Sequence, residues 1–202
     1  MSRMPLFPLG QTVVFPGLMI PLYIFEDRYR QMIRDLLEAP EGGRQFVITL
    51  ADGEQSFREV GAFVELIGAQ ENPDGTFTIV CRGGERCHIE GAGVFDRLYR
   101  TAICTPMPLE RSARSAEAVA AWDAMDAFRA HVAGVADPQR LEEAIANLPE
   151  DPLYQASFLC VHLQVEAEDK QALLEAPSLV ARLELAQALM RQGSFGQGVA
   201  EA

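Results

Sequence analysis

The residues able to do chemistry in this chain are few and widely spaced. His88, His131 and His162 stand alone, and the four cysteines, Cys81, Cys87, Cys104 and Cys160, form no C-x-x-C pair. A zinc site needs ligands at repeated short spacings, and Cys81, Cys87 and His88 come nearest to that. Cys87 and His88 are neighbours in a predicted strand, so their side chains point to opposite faces and cannot readily share one ion. With no export signal, the cysteines read as reduced thiols that pack as small hydrophobes in a cytoplasmic protein. Gly83-Gly84 and Gly91-x-Gly93 lack the lysine and the following helix of a phosphate loop, and read as turns. Gly193-Ser194-Phe195-Gly196 has the wrong spacing for a nucleophile elbow. Glu142-Glu143 and Glu166-x-Glu168-Asp169 read as solvated helix faces. No catalytic residue, cofactor site or metal site is therefore predicted.

One group does stand out: Glu26, Arg28 and Tyr29. It can be read as the lip of a ligand-binding surface. It reads more readily as folding machinery, with Glu26 capping a helix, Arg28 bracing strands and Tyr29 packing, because nearly every feature around it is a folding signal. Phe57, the one aromatic residue in the polar stretch 52–59, joins them as a candidate, because a mobile loop there could border a groove together with the turn at 72–75.

The elements that must hold this group begin at residue 4. No charged residue falls between Arg3 and Glu26, yet Pro5, Pro8, Pro16 and Pro21 recur too often for a continuous helix. A membrane span is excluded on that ground, and a signal peptide by the lack of a small-residue cleavage site. What remains is a set of short extended pieces. Val13-Val14-Phe15 suits a strand. Pro16-Gly17 fits a type II turn, and residues 19–24 return as a strand whose Pro21 indicates an edge or a bulge. Residues 26–37 form a helix, with Tyr29, Met32, Ile33, Leu36 and Leu37 as one apolar stripe. Glu26 and Arg30 are four apart and able to pair, and Pro40 ends the helix.

Pro-Leu-Phe-Pro-Leu, then Val-Phe-Pro-Gly, then Ile-Pro-Leu-Tyr-Ile-Phe-Glu-Asp-Arg-Tyr-Arg closely resembles the opening of the Lon protease amino-terminal, substrate-binding domain. Later segments extend the resemblance. Val60-Gly61 precedes a strand, Asp74-Gly75 sits in a turn, Gly84 is followed by Arg86 and Ile89, and Tyr99 with Ala102 leads to a last strand. Cys87-His88 stands where the family usually has an aromatic or aliphatic residue. Lys170-Gln171-Ala172-Leu173-Leu174-Glu175, then Arg182-Leu183, matches a phrase between the family's last two helices. The resemblance runs from about residue 4 to residue 190. It implies an α+β fold: a PUA-like β-barrel with one inserted helix, followed by an all-α helical bundle.

Between these landmarks the pattern alternates. Residues 45–50, 60–70, 77–82, 86–89 and 98–107 read as strands, with a hairpin turn at Asn72-Pro73-Asp74-Gly75 and a break at Gly83-Gly84. From Ser112 the period becomes helical. Residues 115–132 form a long helix with Val119, Trp122, Met125, Phe128 and Val132 as its apolar contacts. Asp137-Pro138 and Asp151-Pro152 each read as an N-cap followed by proline at the first helical position. Residues 168–175 form a short helix, and Leu179, Leu183, Ala186, Leu189 and Met190 line the last one. The predicted organisation is a barrel subdomain at 1–108, a helical subdomain at 109–192 and a disordered tail at 193–202.

Within Lon proteases this domain precedes an ATPase and a Ser-Lys peptidase. Neither is found here, and the single lysine, Lys170, lies in the helical phrase above. The expectation is a stand-alone, non-catalytic module that binds unfolded or tagged protein segments, an adaptor or proteolysis-related factor working with a protease or chaperone. A net charge of -12 over 202 residues opposes nucleic acid and anionic membrane. An RNA-binding barrel is the alternative, through a local patch of Arg82, Arg86, Arg97 and Arg100. A small-molecule-binding protein is the third reading.

Overall fold

The computed structural model describes residues 3–40, 42–53, 56–94 and 96–195. The predicted tail at 193–202 lies beyond them from residue 196 onward. The chain divides into two units, Met1–Pro108 and Leu109–Ala202. The first holds β1 (Met4–Leu9), β2 (Met19–Ile24), α1 (Asp27–Glu38), β3 (Gln45–Asp52), β4 (Ser56–Glu71), β5 (Phe77–Gly93) and β6 (Thr101–Pro106). The second holds α2 (Arg114–His131), α3 (Pro138–Ala146), α4 (Pro152–His162), α5 (Ala167–Glu175) and α6 (Leu179–Phe195).

The six strands form one sheet in the order β2-β5-β4-β3-β1-β6, with β6 also pairing β5. The hydrogen bonding therefore returns on itself through β5, β4, β3, β1 and β6. β1 and β3 run parallel, and the other pairs are antiparallel. β5 is long enough to serve two partners along one edge, β2 on Phe77–Arg82 and β6 on Cys87–Gly93. Among the described residues the other edge of β2 meets no strand, which suits Pro21, since proline cannot donate to a ladder.

Alternation along the strands splits the core in two. Phe7, Phe46, Ile48, Val64, Phe77 and Ile79 form one cluster, onto which α1 lays Tyr29, Met32, Ile33 and Leu36. The rings of Phe7 and Tyr29 are 4.1 Å apart. The neighbouring residues Leu6 and Val47 point the other way, into a smaller cluster with Cys87, Ile89 and Ala102.

Four local expectations change. Val13, Val14 and Phe15 are buried but pair in no strand. Gly83-Gly84 does not end the strand; β5 continues through it, with a shift of register against β4 between Gly83 and Arg86. The two observations have one cause. A Cβ on Gly83 would stand 2.2 Å from the Phe15 carbonyl oxygen and 2.8 Å from a Val14 methyl. Glycine is there so that another stretch of backbone can press against the strand. The stretch 52–59 is mostly strand: β3 runs to Asp52, Gly53 turns at φ +85°, and β4 begins at Ser56. Phe57 pairs with Ala51 in that ladder. Finally, Glu26 pairs with Arg28 at 2.7 Å, whereas Arg30 pairs with Asp27.

In the helical unit both Asp-Pro signatures act as read. Asp137 accepts from the Gln139 and Arg140 amides, and Asp151 accepts from the Leu153 amide at 2.9 Å. Along α6, Leu179, Leu183, Ala186, Leu189 and Met190 are buried as expected, and the helix continues to Phe195. Along α2 the stripe is displaced. Val119 and Trp122 point outward, with Trp122 67% exposed, while Ala121, Ala124, Met125, Phe128 and Glu117 are buried. The two small residues, rather than the ring, face the packed side.

Two charged groups tie the helices together. Glu117 is only 1% exposed, and its carboxylate accepts from Arg111 Nη2 at 2.7 Å and from the Ser112 amide at 2.7 Å. Arg111 also donates to Asp151 at 2.8 Å, reaching the cap of α4. Buried Arg182 donates to the Leu173 and Leu174 carbonyls at the end of α5, where carbonyls lack helical partners.

Candidate functional site

β2 alternates with a period of two. Ile20, Leu22 and Ile24 turn toward the α1 core, and Met19, Pro21 and Tyr23 turn away from it. The register then decides what lies beside them. Met19 is opposite Arg82, Pro21 opposite Val80 and Tyr23 opposite Thr78 on β5; Val80 in turn is opposite Gly68 on β4. A bulge between Leu66 and Gly68 leaves Ile67 as an extra residue, and it is exposed. Phe25 follows β2 and stacks on Tyr23, ring centroids 6.3 Å apart. Tyr23 is 57% exposed and Phe25 64%.

The result is one outer face on which Met19, Pro21, Tyr23, Phe25, Ile67 and Val80 lie close together. Its polar groups are Thr78, Gln70 and an ion pair, Arg82 to Glu65 at 2.5 Å. The exposed Glu26–Arg28 pair follows Phe25 directly. A Cβ on Gly68 would touch nothing within 4 Å, so the surface is open at that point. Exposed apolar side chains gathered on one face are the kind of feature that interaction surfaces carry. Methionine and aromatic rings suit adaptable recognition, the first by its flexibility and the second by its large contact area.

The four residues singled out in the sequence do not share a surface. Glu26 and Arg28 are exposed and paired. The Arg28 guanidinium lies 4.6 Å from the Tyr29 ring centroid, but the ring itself is buried, and burial pushes its phenol above the ordinary value. Phe57 packs against the smaller cluster, with Arg100 5.8 Å from its ring. Tyr23 and Phe25 escaped notice in the sequence. The strand at 19–24 was legible, and its period of two puts Met19, Pro21 and Tyr23 together, but only the position of α1 says which face is outermost.

The first unit also has an open cleft of about 410 Å³, lined in part by Arg3, Gln45, Asp35, Arg97 and Tyr99. Asp35 accepts from the Tyr99 hydroxyl at 2.8 Å and from Arg97 at 2.9 Å. Burial and that hydrogen bond push Tyr99 up to about 12, away from the range of a base at neutral pH. The charges answer one another and hold the 97–99 segment to α1, where the Leu98 amide also reaches Gln31. Among the described residues no three His, Cys, Asp or Glu side chains gather as metal ligands would, and no helix is long and apolar enough to cross a membrane.

The substrate-binding domain of ATP-dependent protease La (Lon) is the family whose model matches residues 3–192 of this chain. The chain belongs to that family. Lon protease of Xanthomonas oryzae pv. oryzae is 27% identical over 190 residues, covering 90% of this chain and 22% of that protein. Lon protease of Rhizobium meliloti is 27% identical over 198 residues, covering 92% of this chain and 23% of that protein. The chain thus spans between a fifth and a quarter of the Lon proteases it matches. Its fold is that of solved Lon amino-terminal domains. That of the Mycobacterium avium complex gives a TM-score of 0.74 at 19% identity, covering 94% of this chain and 98% of the other. That of Xanthomonas campestris gives 0.64 at 21% identity, covering 93% and 98%.

Proposed function

We propose that this Lon-family domain is a non-catalytic module that captures unfolded or tagged protein segments on the outer face of β2, β5 and β4. The observation that carries this reading is the stacked Tyr23–Phe25 pair beside Met19, Ile67 and Val80. Burying two aromatic side chains against a partner supplies about 1.5–3 kcal/mol each, enough for weak, sequence-tolerant binding that a second contact can strengthen. The clients are flexible apolar segments. The partner that consumes them is an ATPase-protease or a chaperone in the cytoplasm, and the module serves it as a recognition element or adaptor.

The architecture we infer for this role is a PUA-like barrel at 1–108 and a helical bundle at 109–192. The ring of pairing through β5, β4, β3, β1 and β6 supports the barrel. The RNA alternative needed a patch of four arginines. Arg82 is engaged by Glu65 and Arg97 by Asp35; Arg100 lies over Phe57. Arg86 is 5% exposed and donates to the Met107 and Pro108 carbonyls. It fastens the end of β6 and offers no face to a phosphate.

Hydrogen-exchange mass spectrometry tests the reading. Adding a permanently unfolded protein, such as reduced and carboxymethylated lactalbumin, should slow exchange in residues 19–25 and 77–82 and leave α1 unchanged. Protection confined to other segments would sink it. So would turnover of casein by the pure chain, which the non-catalytic reading forbids.

A further inference from the structure

We infer that the free edge of β2 takes an extended segment of the client as an added β-strand, holding it by its main chain as well as by its side chains. This rests on the capture reading above and names the form in which the client is bound. The phase of the β2–β5 ladder carries it. The Gly83 amide donates to the Leu18 carbonyl at 2.9 Å, and that pair continues the register in which Met19 is opposite Arg82 and Ile20 opposite Cys81. Hydrogen-bonded and non-hydrogen-bonded pairs alternate along an antiparallel ladder. Ile20, Leu22 and Ile24 therefore turn their amides and carbonyls to β5. The far side of β5 gives the same phase. The Asn72 amide donates to the Thr76 carbonyl at 2.8 Å, and in the same register Gln70 is opposite Thr78. Thr78 thus bonds to β4, which leaves its neighbours Phe77 and Ile79 to bond to β2.

Met19, Pro21 and Tyr23 consequently point their main-chain groups at the open edge. All three are exposed, and among the described residues nothing bonds to their main chain there. Pro21 fits this phase, because its missing donor falls on the edge, where the ladder loses no bond. The edge offers the amides of Met19 and Tyr23 and the carbonyls of all three residues. An extended backbone presents the matching alternation of partial charges, carbonyl oxygen against amide and amide against carbonyl oxygen. A helix has spent those groups internally and cannot. Sheets usually guard such an edge with charged side chains or a cover. β2 carries no charged residue, and its one guard is Pro21. A strand added there continues the outer face, setting alternate client side chains beside Met19, Pro21 and Tyr23. Main-chain bonds give affinity without reading sequence, and the alternate side chains select apolar, β-branched and aromatic segments. The substrate class is therefore an unfolded segment free to extend, with proline-rich stretches rejected for want of amides.

The experiment follows amide exchange residue by residue, by NMR on the isotope-labelled chain, with and without saturating reduced and carboxymethylated lactalbumin. The Met19 and Tyr23 amides should exchange freely in the chain alone and slow by at least about tenfold in the complex. The Ile20, Leu22 and Ile24 amides, already bonded to β5, should be protected from the start. Shifts of the Tyr23 and Phe25 ring signals, with the Met19 and Tyr23 amides still exchanging freely, would overturn the inference and leave capture on the sheet face standing. No response anywhere in residues 19–25 would overturn the capture reading and this inference with it. Slowing of the same two amides in the chain alone, growing with its concentration, would assign the edge to a second copy and overturn the inference as well.

Discussion

On the outer face of β2, β5 and β4, Met19, Tyr23, Phe25, Ile67 and Val80 adjoin, and the ion pairs Arg82–Glu65 and Glu26–Arg28 lie out in solvent. The helical unit reverses this arrangement. Its exposed apolar side chains are dispersed, Val119 and Trp122 on α2 but Val135 and Val161 on other segments. Its most buried described ion pair, Arg111 with Glu117, sinks a carboxylate into the interior. The difference teaches what these particular charges do. The two pairs at the sheet face border the proposed surface, so removing one should alter recognition and leave folding nearly untouched. Arg111 and Glu117 hold helix ends together, so removing one should cost stability.

The largest effect probes how the sheet is held in shape behind its apolar face. Gly83→Ala forces a methyl into the Phe15 carbonyl, and backbone must move to relieve it. The expected loss is about 3 kcal/mol, the upper end of the usual cost of overpacking, read as a shift in the denaturant midpoint. Arg111→Ala comes next and tests the buried tie. It strands the Glu117 carboxylate, at an expected cost of about 2–3 kcal/mol, less than for a fully buried pair because the guanidinium is partly exposed. Urea titration checks it, and a loss below about 0.5 kcal/mol would erase the contrast between the units.

Acid sharpens the same contrast. Glu117 is held below its ordinary value of 4.5, chiefly by the hydrogen bond from Arg111. Its stabilisation is whole above the unfolded value and is lost as pH falls through the depressed folded value. Thermal melts of the wild type should therefore fall more steeply between about pH 5 and pH 3 than those of Glu117→Gln. The smallest effect belongs to Gly68→Ala on the open sheet face. Nothing stands within 4 Å of the new methyl, so stability should move by less than about 0.5 kcal/mol in the same urea assay.

Much of this fold was legible because local signals agreed. Residues 19–24, the stripe on α1, the turn at 72–75 and both Asp-Pro caps are set by neighbours in sequence. The errors lie where a distant segment decided. Gly83-Gly84 read as a break because nothing local reveals that Val14 and Phe15 press on it. Trp122 read as core because a large ring outweighs two alanines in a periodic pattern, although the alanines face inward. The candidate surface suffered most. Tyr29 and Phe57 look like recognition residues by type, yet each is committed to packing. Tyr23 and Phe25 became visible only once α1 was seen to occupy the opposite face.

Titration of a fluorescently labelled unfolded protein against three forms of the chain tests the central claim most directly: wild type, Tyr23→Ser/Phe25→Ser and Val119→Ser/Trp122→Ser. Loss of two anchoring rings corresponds to a weakening of roughly 100-fold or more in the sheet-face variant, with the helix-face variant within about twofold of wild type. Equal affinity for wild type and the sheet-face variant, or a loss confined to the helix-face variant, would contradict it.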